Sequence, residues 1–249
     1  MVSSTMEQRN YLLVNTIIIV LIVLIFLISN LSTFIWVDKY TPFGSYENQL
    51  VFWSNNYAMN HGFSVNNALN QQYNTNIFQA RDYLYFNGST IPTIFLGHPL
   101  LIAPTTVVDQ NAIHFLDSIV FCVSILFFFL ICNLFFRRKY SLLITILYSF
   151  FPAFIYWNNR INIDVWASAF FIISIYYFLK YFNSDDKIDL FLLCIFLTIS
   201  IIVRYPYVLL AFILAIFLII KLFFNQNFKQ NFMYILIAFL FVISPILIL

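Results

Sequence analysis

The stretch AIHFLDSIVFCVSILFFFLICNLFFRRKY, from Ala112 to Tyr140, decides the class of this protein. Up to Phe136 it is an apolar run with one acidic residue, Asp117, and it exceeds the roughly 20 residues that a helix needs to cross the hydrocarbon core of a membrane. Three basic residues, 137–139, follow at once. A long apolar run that ends in a basic cluster is typical of a membrane-spanning helix whose end lies in the cytoplasm.

The composition of the whole chain agrees with that stretch. Of its 249 residues, 62% are hydrophobic and only 9% are charged, and the mean hydropathy is +0.89. A soluble domain carries about a quarter charged residues, so most of this chain must face lipid rather than water. The net charge of +2 is small and dispersed, which disfavours nucleic acid as a partner. The three cysteines lie in apolar runs without metal-binding spacing and are interpreted as core residues.

Similar apolar runs recur along the chain and predict an all-α polytopic membrane protein with about seven transmembrane helices. The first run is too long for the core of a cleaved signal peptide, and no small-residue cleavage site follows it, so it is interpreted as a retained signal-anchor helix. The predicted spans are Tyr11–Trp36, Ala112–Phe136, Tyr140–Trp157, Ile163–Tyr181, Ile188–Val203, Tyr207–Leu222 and Phe232–Leu249.

The basic residues orient these spans. With the N-terminus in the cytoplasm, eight of the 12 Lys and Arg residues fall in inner segments and four in outer ones, as the positive-inside rule requires. The sequence therefore predicts a multi-pass protein of the cell membrane with a cytoplasmic N-terminus. The inner set is Arg9, Arg137, Arg138, Lys139, Lys180, Lys187, Lys221 and Lys229, and the outer set is Lys39, Arg81, Arg160 and Arg204.

One long segment, 37–111, separates the first two spans and is predicted to be an extracytoplasmic loop. It holds all four glycines and four of the seven prolines, which indicates a folded segment with several turns. Aromatic residues recur at helical spacing from Tyr46 to Tyr57, a pattern that favours a helix lying in the membrane interface. The apolar stretch Ile91–Val108 is interrupted by proline and glycine and is predicted to be re-entrant or interfacial rather than spanning.

Carboxylates in that loop are candidates for chemistry. Glu47 falls in the first turn of the predicted interfacial helix, where the helix dipole alone favours an acidic residue. The functional alternative is a general base or a metal ligand at the lipid–water boundary. Asp38 is a second outward-facing carboxylate. His61 and His98 are too isolated from each other in sequence to indicate a metal site by themselves.

Two outer arginines are candidates for binding an anion. Arg160 precedes Asp164 by four residues at the outer start of the fourth span, where a local ion pair is one interpretation. Arg204 lies between the fifth and sixth spans. It is either an interfacial anchor or a ligand for a lipid phosphate, because a guanidinium can bind phosphate through two N–H groups.

The order of these features resembles the GT-C superfamily of membrane glycosyltransferases, in particular the branch related to protein O-mannosyltransferases and aminoarabinose transferases. Tyr46-Glu47-Asn48 stands where that branch has an essential acid in its first outer loop. The segment from Gly97 to Pro104 resembles its Gly/Pro-rich apolar segment, and Pro152 through Arg160 to Asp164 resembles its Pro…Arg-x-x-x-Asp element. Val203-Arg204-Tyr205 matches a position where relatives often carry a basic residue.

The resemblance implies a single GT-C-like transmembrane domain over residues 1–249, with the C-terminal part of the family missing. It implies a glycosyltransferase that moves a sugar from a polyprenyl-phosphate carrier to a lipid, glycan or protein acceptor at the outer membrane face. Glu47, with Asp38 as a second carboxylate, would be catalytic, and Arg204 and Arg160 would bind the donor phosphate, with or without a divalent metal. The family commonly has an Asp-Glu pair where this chain has Tyr46-Glu47.

Two other classes of function remain open from the sequence. A transporter or channel subunit would typically have repeats and glycine-interrupted helices, whereas no predicted span here contains glycine. An inactive, truncated relative that acts as a partner subunit is the second alternative.

Overall fold

A computed structural model gives the architecture. It describes residues 13–28, 30, 53–54, 56–59, 65–66, 83–86, 89–92, 97–108, 112–151, 162–223, 235 and 242. We label seven helices in this part of the chain: α1 (Leu13–Ile28), α2 (Gly97–Val108), α3 (Ala112–Phe135), α4 (Arg138–Ser149), α5 (Ile163–Ser184), α6 (Lys187–Val203) and α7 (Tyr207–Phe223).

Several predicted spans are confirmed as helices, with ends that differ by a few residues. Phe115–Phe135 and Ile163–Ser184 are long and apolar enough to cross a membrane, and Leu13–Ile28 is a shorter apolar helix, as is the first part of α7. The number of seven transmembrane helices stays a prediction, because only residues 235 and 242 of the seventh predicted span are described.

The third predicted span, Tyr140–Trp157, is wrong about its end. Helix α4 stops at Ser149, and Phe150 already has non-helical dihedral angles. Pro152 follows two residues later and disfavours the helical conformation of the residue before it. With 12 residues, α4 is about 18 Å long, shorter than a hydrocarbon core of about 30 Å, and residues 152–157 of the predicted span lie outside the described residues.

The long loop contains a small antiparallel sheet that the all-α prediction did not include. Strands β1 (Val65–Asn66), β2 (Tyr83–Phe86) and β3 (Ser89–Pro92) pair in the order β1-β3-β2, with Val65 opposite Thr90 and Tyr83 opposite Pro92. The sequence Asn87-Gly88 between β2 and β3 is a strong signal for a hairpin turn. Of the predicted re-entrant stretch Ile91–Val108, residues 91–92 belong to β3 and residues 97–108 form helix α2.

Helix α5 is the centre of the bundle and packs against α3, α6 and α7. One buried apolar cluster joins α1, α2, α3, α5 and the end of α6, and a second joins α5, α6 and α7. Large side chains on the outer faces, such as Leu209 and Ile216 of α7, are exposed, as expected of a surface that faces lipid.

Side-chain contacts between the helices show which ends lie together. Helix α3 runs parallel to α5, since Asp117 contacts Trp166 and Phe127 contacts Tyr176. Helix α6 runs antiparallel to α5, since Ser200 donates to the Ala167 carbonyl at 2.8 Å. Lys180 pairs with Asp189 at 3.0 Å, and Lys221 with Asp185 at 2.5 Å. We call the end of the bundle that carries these two ion pairs the Lys221 end. The opposite end, which carries Arg204, is the Arg204 end.

Candidate functional site

The candidate site lies at the Arg204 end, where α6 stops and α5 begins. Arg204 is the residue that ends α6, and its extended backbone conformation turns the chain toward α7. Its amide N–H donates to the Ser200 carbonyl at 2.9 Å. The side chain is 40% exposed, so the guanidinium lies at the rim of the bundle rather than in its core.

Asp164 is the ion-pair partner of Arg204. Its carboxylate Oδ1 contacts Nη1 of Arg204, while the amide N–H of Asp164 donates to the side chain of Asn162, the N-cap of α5, at 2.8 Å. The sequence paired Asp164 with Arg160 as one interpretation. In the structure Asp164 pairs with Arg204, 40 residues away, because the start of α5 and the end of α6 meet at the same rim, while Arg160 lies outside the described residues.

A buried polar cluster of three side chains lies near this pair. Trp166, two residues after Asp164 on α5, donates its indole N–H to Oδ1 of Asp117 on α3. His98 of α2 packs edge-on against the Trp166 ring, with ring centroids 5.2 Å apart. Asp117 and His98 are both fully buried. Asp117 lies in a helix that is long and apolar enough to cross a membrane, where an ionisable residue is costly and is a candidate for a functional position.

A close approach of backbones brings α2 to this position. A Cβ atom on Gly97 would lie 2.4 Å from the carbonyl oxygen of Ile202, two residues before Arg204. Only glycine permits that contact between the start of α2 and the end of α6. The Gly97-His98 segment that carried part of the family resemblance is thus packed directly against the end of the helix that bears Arg204.

Burial determines what His98 can do. Desolvation lowers its pKa from 6.5 to about 3, so the imidazole is neutral at physiological pH. Within the part of the chain that the structure describes, neither ring nitrogen has a hydrogen-bond partner. A group with this pKa is a poor general base near neutral pH. The chemistry open to His98 is to orient a hydroxyl or another neutral polar group.

The other predicted site residues fall outside the described residues. These are Glu47, Asp38 and Arg160, and also His61. Near Glu47, residues 53–54 and 56–58 are helical, and Trp53 of the predicted interfacial stripe is fully buried while Tyr57 is exposed. Among the described side chains, no three His, Cys, Asp or Glu residues come together as a group that could hold a metal ion.

The sequence does not reveal the contact of Trp166 with Asp117, since a tryptophan at the start of an apolar helix also fits an interfacial anchor. Asp117 was visible as an acidic residue in an apolar run. Its contact with Trp166 depends on the parallel packing of α3 on α5, which no spacing in the sequence reveals.

Comparison with known protein families gives a match. The family model described as dolichyl-phosphate-mannose-protein mannosyltransferase matches residues 98–249, which is more than half of the chain. The match begins at His98 and includes Asp117, Asp164, Trp166 and Arg204. No curated protein and no solved structure matches the chain.

Proposed function

The chain belongs to the dolichyl-phosphate-mannose-protein mannosyltransferase family, and from that premise we propose that it transfers a sugar from a polyprenyl-phosphate carrier to an acceptor at the outer face of the membrane. Family membership supports a membrane glycosyltransferase of the GT-C type with a polyprenyl-linked donor. The outer face is our proposal, supported by the eight-to-four asymmetry of the basic residues.

The observation that carries the proposal is the position of Arg204. It is an arginine at the rim of the bundle, inside the matched region, and Oδ1 of its partner Asp164 contacts its Nη1. A guanidinium has five N–H donors, so Asp164 can orient Arg204 while other donors bind the two oxygens of a phosphate. Both side chains are well exposed, so their ion pair is worth no more than about 1 kcal/mol and does not prevent phosphate binding.

The proposed roles divide the reaction between the two sides of the sugar carbon. Arg204 would stabilise the negative charge that develops on the departing polyprenyl phosphate. Arg160, four residues before Asp164 in the sequence, would assist it. Glu47, or Asp38 in its place, would remove the proton of the acceptor hydroxyl as that oxygen bonds to the sugar carbon, with or without a divalent metal. The buried cluster of His98, Trp166 and Asp117 would hold the surrounding helices of the site in position.

Donor binding and turnover of a polyprenyl-phosphate sugar in nanodiscs test these roles separately. Arg204→Lys keeps the charge but loses the forked geometry. We expect donor affinity to weaken by about 2 kcal/mol, roughly thirtyfold, which is the scale of a hydrogen bond to a charged group. Glu47→Gln should leave donor affinity unchanged and lower turnover at least about a hundredfold.

The matched control is Lys139→Arg, which exchanges the same two side chains at an exposed position at the opposite end of the bundle. It should leave both donor affinity and turnover unchanged. Equal donor affinity in Arg204→Lys and wild type would make Arg204 a membrane anchor and remove the main phosphate ligand from the proposal. A donor-affinity loss of the same size in Lys139→Arg would show that the effect of exchanging arginine and lysine is not specific to the Arg204 end.

A further inference from the structure

The Lys221 end of the bundle holds a cleft that the proposed glycosyl transfer does not use. It lies between α1, α3 and the start of α4 and has a volume of about 620 Å³. That volume is within the range of about 300–1,000 Å³ that is usual for sites of small ligands. Apolar side chains of α1 and α3, among them Ile18 and Leu126, form much of its wall.

Polar and basic side chains line the same cleft where α4 begins. Arg137 and Arg138 both line it, together with Asn15 and Asn133. Arg138 donates to the side-chain oxygen of Asn15, which holds the guanidinium toward α1. The buried side-chain oxygen of Asn133 has no hydrogen-bond partner among the described residues.

The start of α4 adds a second favourable element for an anion. Arg137 is the N-cap residue, and its side chain makes no capping hydrogen bond because a guanidinium has no acceptor atom. The positive end of the helix dipole therefore reinforces two arginines at one place. The charge of the cleft is complementary to a phosphate, and Asn133 is suited to a hydroxyl or, after rotation of its amide, to a phosphate oxygen.

We propose that this cleft binds an acidic phospholipid, with its phosphate at Arg137 and Arg138 and the first part of an acyl chain along α1 and α3. A lipid satisfies both halves of the site, whereas a free phosphate would leave the apolar wall without a ligand. Basic pockets between transmembrane helices on the cytoplasmic side are a known way to bind lipid headgroups. The inference does not depend on the glycosyltransferase function, because the site is at the other end of the bundle.

Native mass spectrometry of the full chain in detergent tests this proposal, with phosphatidylglycerol and phosphatidylcholine of equal acyl composition as probes. The wild type should retain phosphatidylglycerol in preference to phosphatidylcholine. Arg137→Gln with Arg138→Gln should weaken phosphatidylglycerol retention about tenfold. Lys139→Gln with Lys187→Gln removes the same charge from exposed positions that do not line the cleft, and should have little effect.

A third variant covers the case in which the arginine pair is needed for insertion. Leu126→Trp retains every charge but fills the apolar part of the cleft, and should also weaken phosphatidylglycerol retention about tenfold. Unchanged retention in Leu126→Trp would overturn the proposal. So would an equal loss in the lysine control, which would indicate general electrostatics. Displacement of the lipid by inorganic phosphate would overturn it too, since the ligand would then be a free anion.

Discussion

His98 is a neutral imidazole enclosed by the bundle, and this makes the stability of the protein depend on pH. The unfolded chain takes up a proton on His98 below pH 6.5, whereas the folded protein does so only near pH 3. Stability is therefore fully present above pH 6.5 and is lost as the pH falls toward 3. At pH 5 the loss from this one residue should be about 2 kcal/mol relative to pH 7.5.

Thermal unfolding in detergent at pH 7.5 and pH 5 measures that loss. The wild type should show a larger drop in melting temperature between the two pH values than His98→Gln, which cannot titrate. The comparison uses the change with pH within each protein, so a constant destabilisation by the substitution cancels. Equal drops in the two proteins would mean that His98 is solvated in the folded state.

The sequence identified single residues better than their partners. Asp117, Asp164 and Arg204 stand out in the sequence because ionisable residues are rare in a chain with 9% charged residues, and their roles stay a prediction. The sequence suggested Arg160, which lies outside the described residues, as the partner of Asp164, and it did not suggest Arg204. A pair four residues apart is visible in any sequence, while a pair 40 residues apart requires knowing which helix ends meet.

At the scale of elements, the contact of α2 with α6 depends on Gly97. In Gly97→Ala, the added Cβ would lie within 2.5 Å of both the carbonyl oxygen and the carbonyl carbon of Ile202. Helix α2 must then move away from α6, and His98 with it. We expect a destabilisation of about 1–3 kcal/mol, typical of overpacking, measured as a lower melting temperature.

A second substitution shows whether the backbone is the obstacle. Ile202→Ala removes the side-chain atom that lies 2.5 Å from the added Cβ but leaves the carbonyl group in place. The double variant Gly97→Ala/Ile202→Ala should therefore remain at least as unstable as Gly97→Ala. Full recovery of the melting temperature would show that the clash was only with the flexible side chain.

Element boundaries followed from hydrophobicity where helices are long, and failed where a short helix is followed by proline. The bounds of α3 and α6 differ from the predicted spans by one residue. The end of α4 was predicted eight residues too late, since the apolar composition continues through Pro152 while the helix does not. The small sheet was missed because short strands in a mixed loop have too few residues for a clear alternation.

At the scale of the whole molecule, the helix packing places most of the described basic residues at one end of the bundle, a separation that the sequence predicted from the order of the spans. The contacts of α3, α5, α6 and α7 place the basic residues 137–139, Lys180, Lys187 and Lys221 at one end and Arg204 at the other. The positive-inside rule then predicts that the Lys221 end is cytoplasmic. Impermeant maleimide labelling of single cysteines in intact cells tests this, and the three native cysteines are buried, which limits background.

Four introduced cysteines test the helix packing and the membrane orientation separately. Lys139→Cys and Asn183→Cys are both exposed at the Lys221 end and should be protected in intact cells, while Tyr205→Cys at the Arg204 end and Asn74→Cys in the loop should be labelled. The reverse pattern at all four positions would keep the bundle and invert its orientation, moving the proposed chemistry to the cytoplasmic face. Opposite labelling of positions 139 and 183 would contradict the packing itself, because α3 and α5 would then end on different sides of the membrane.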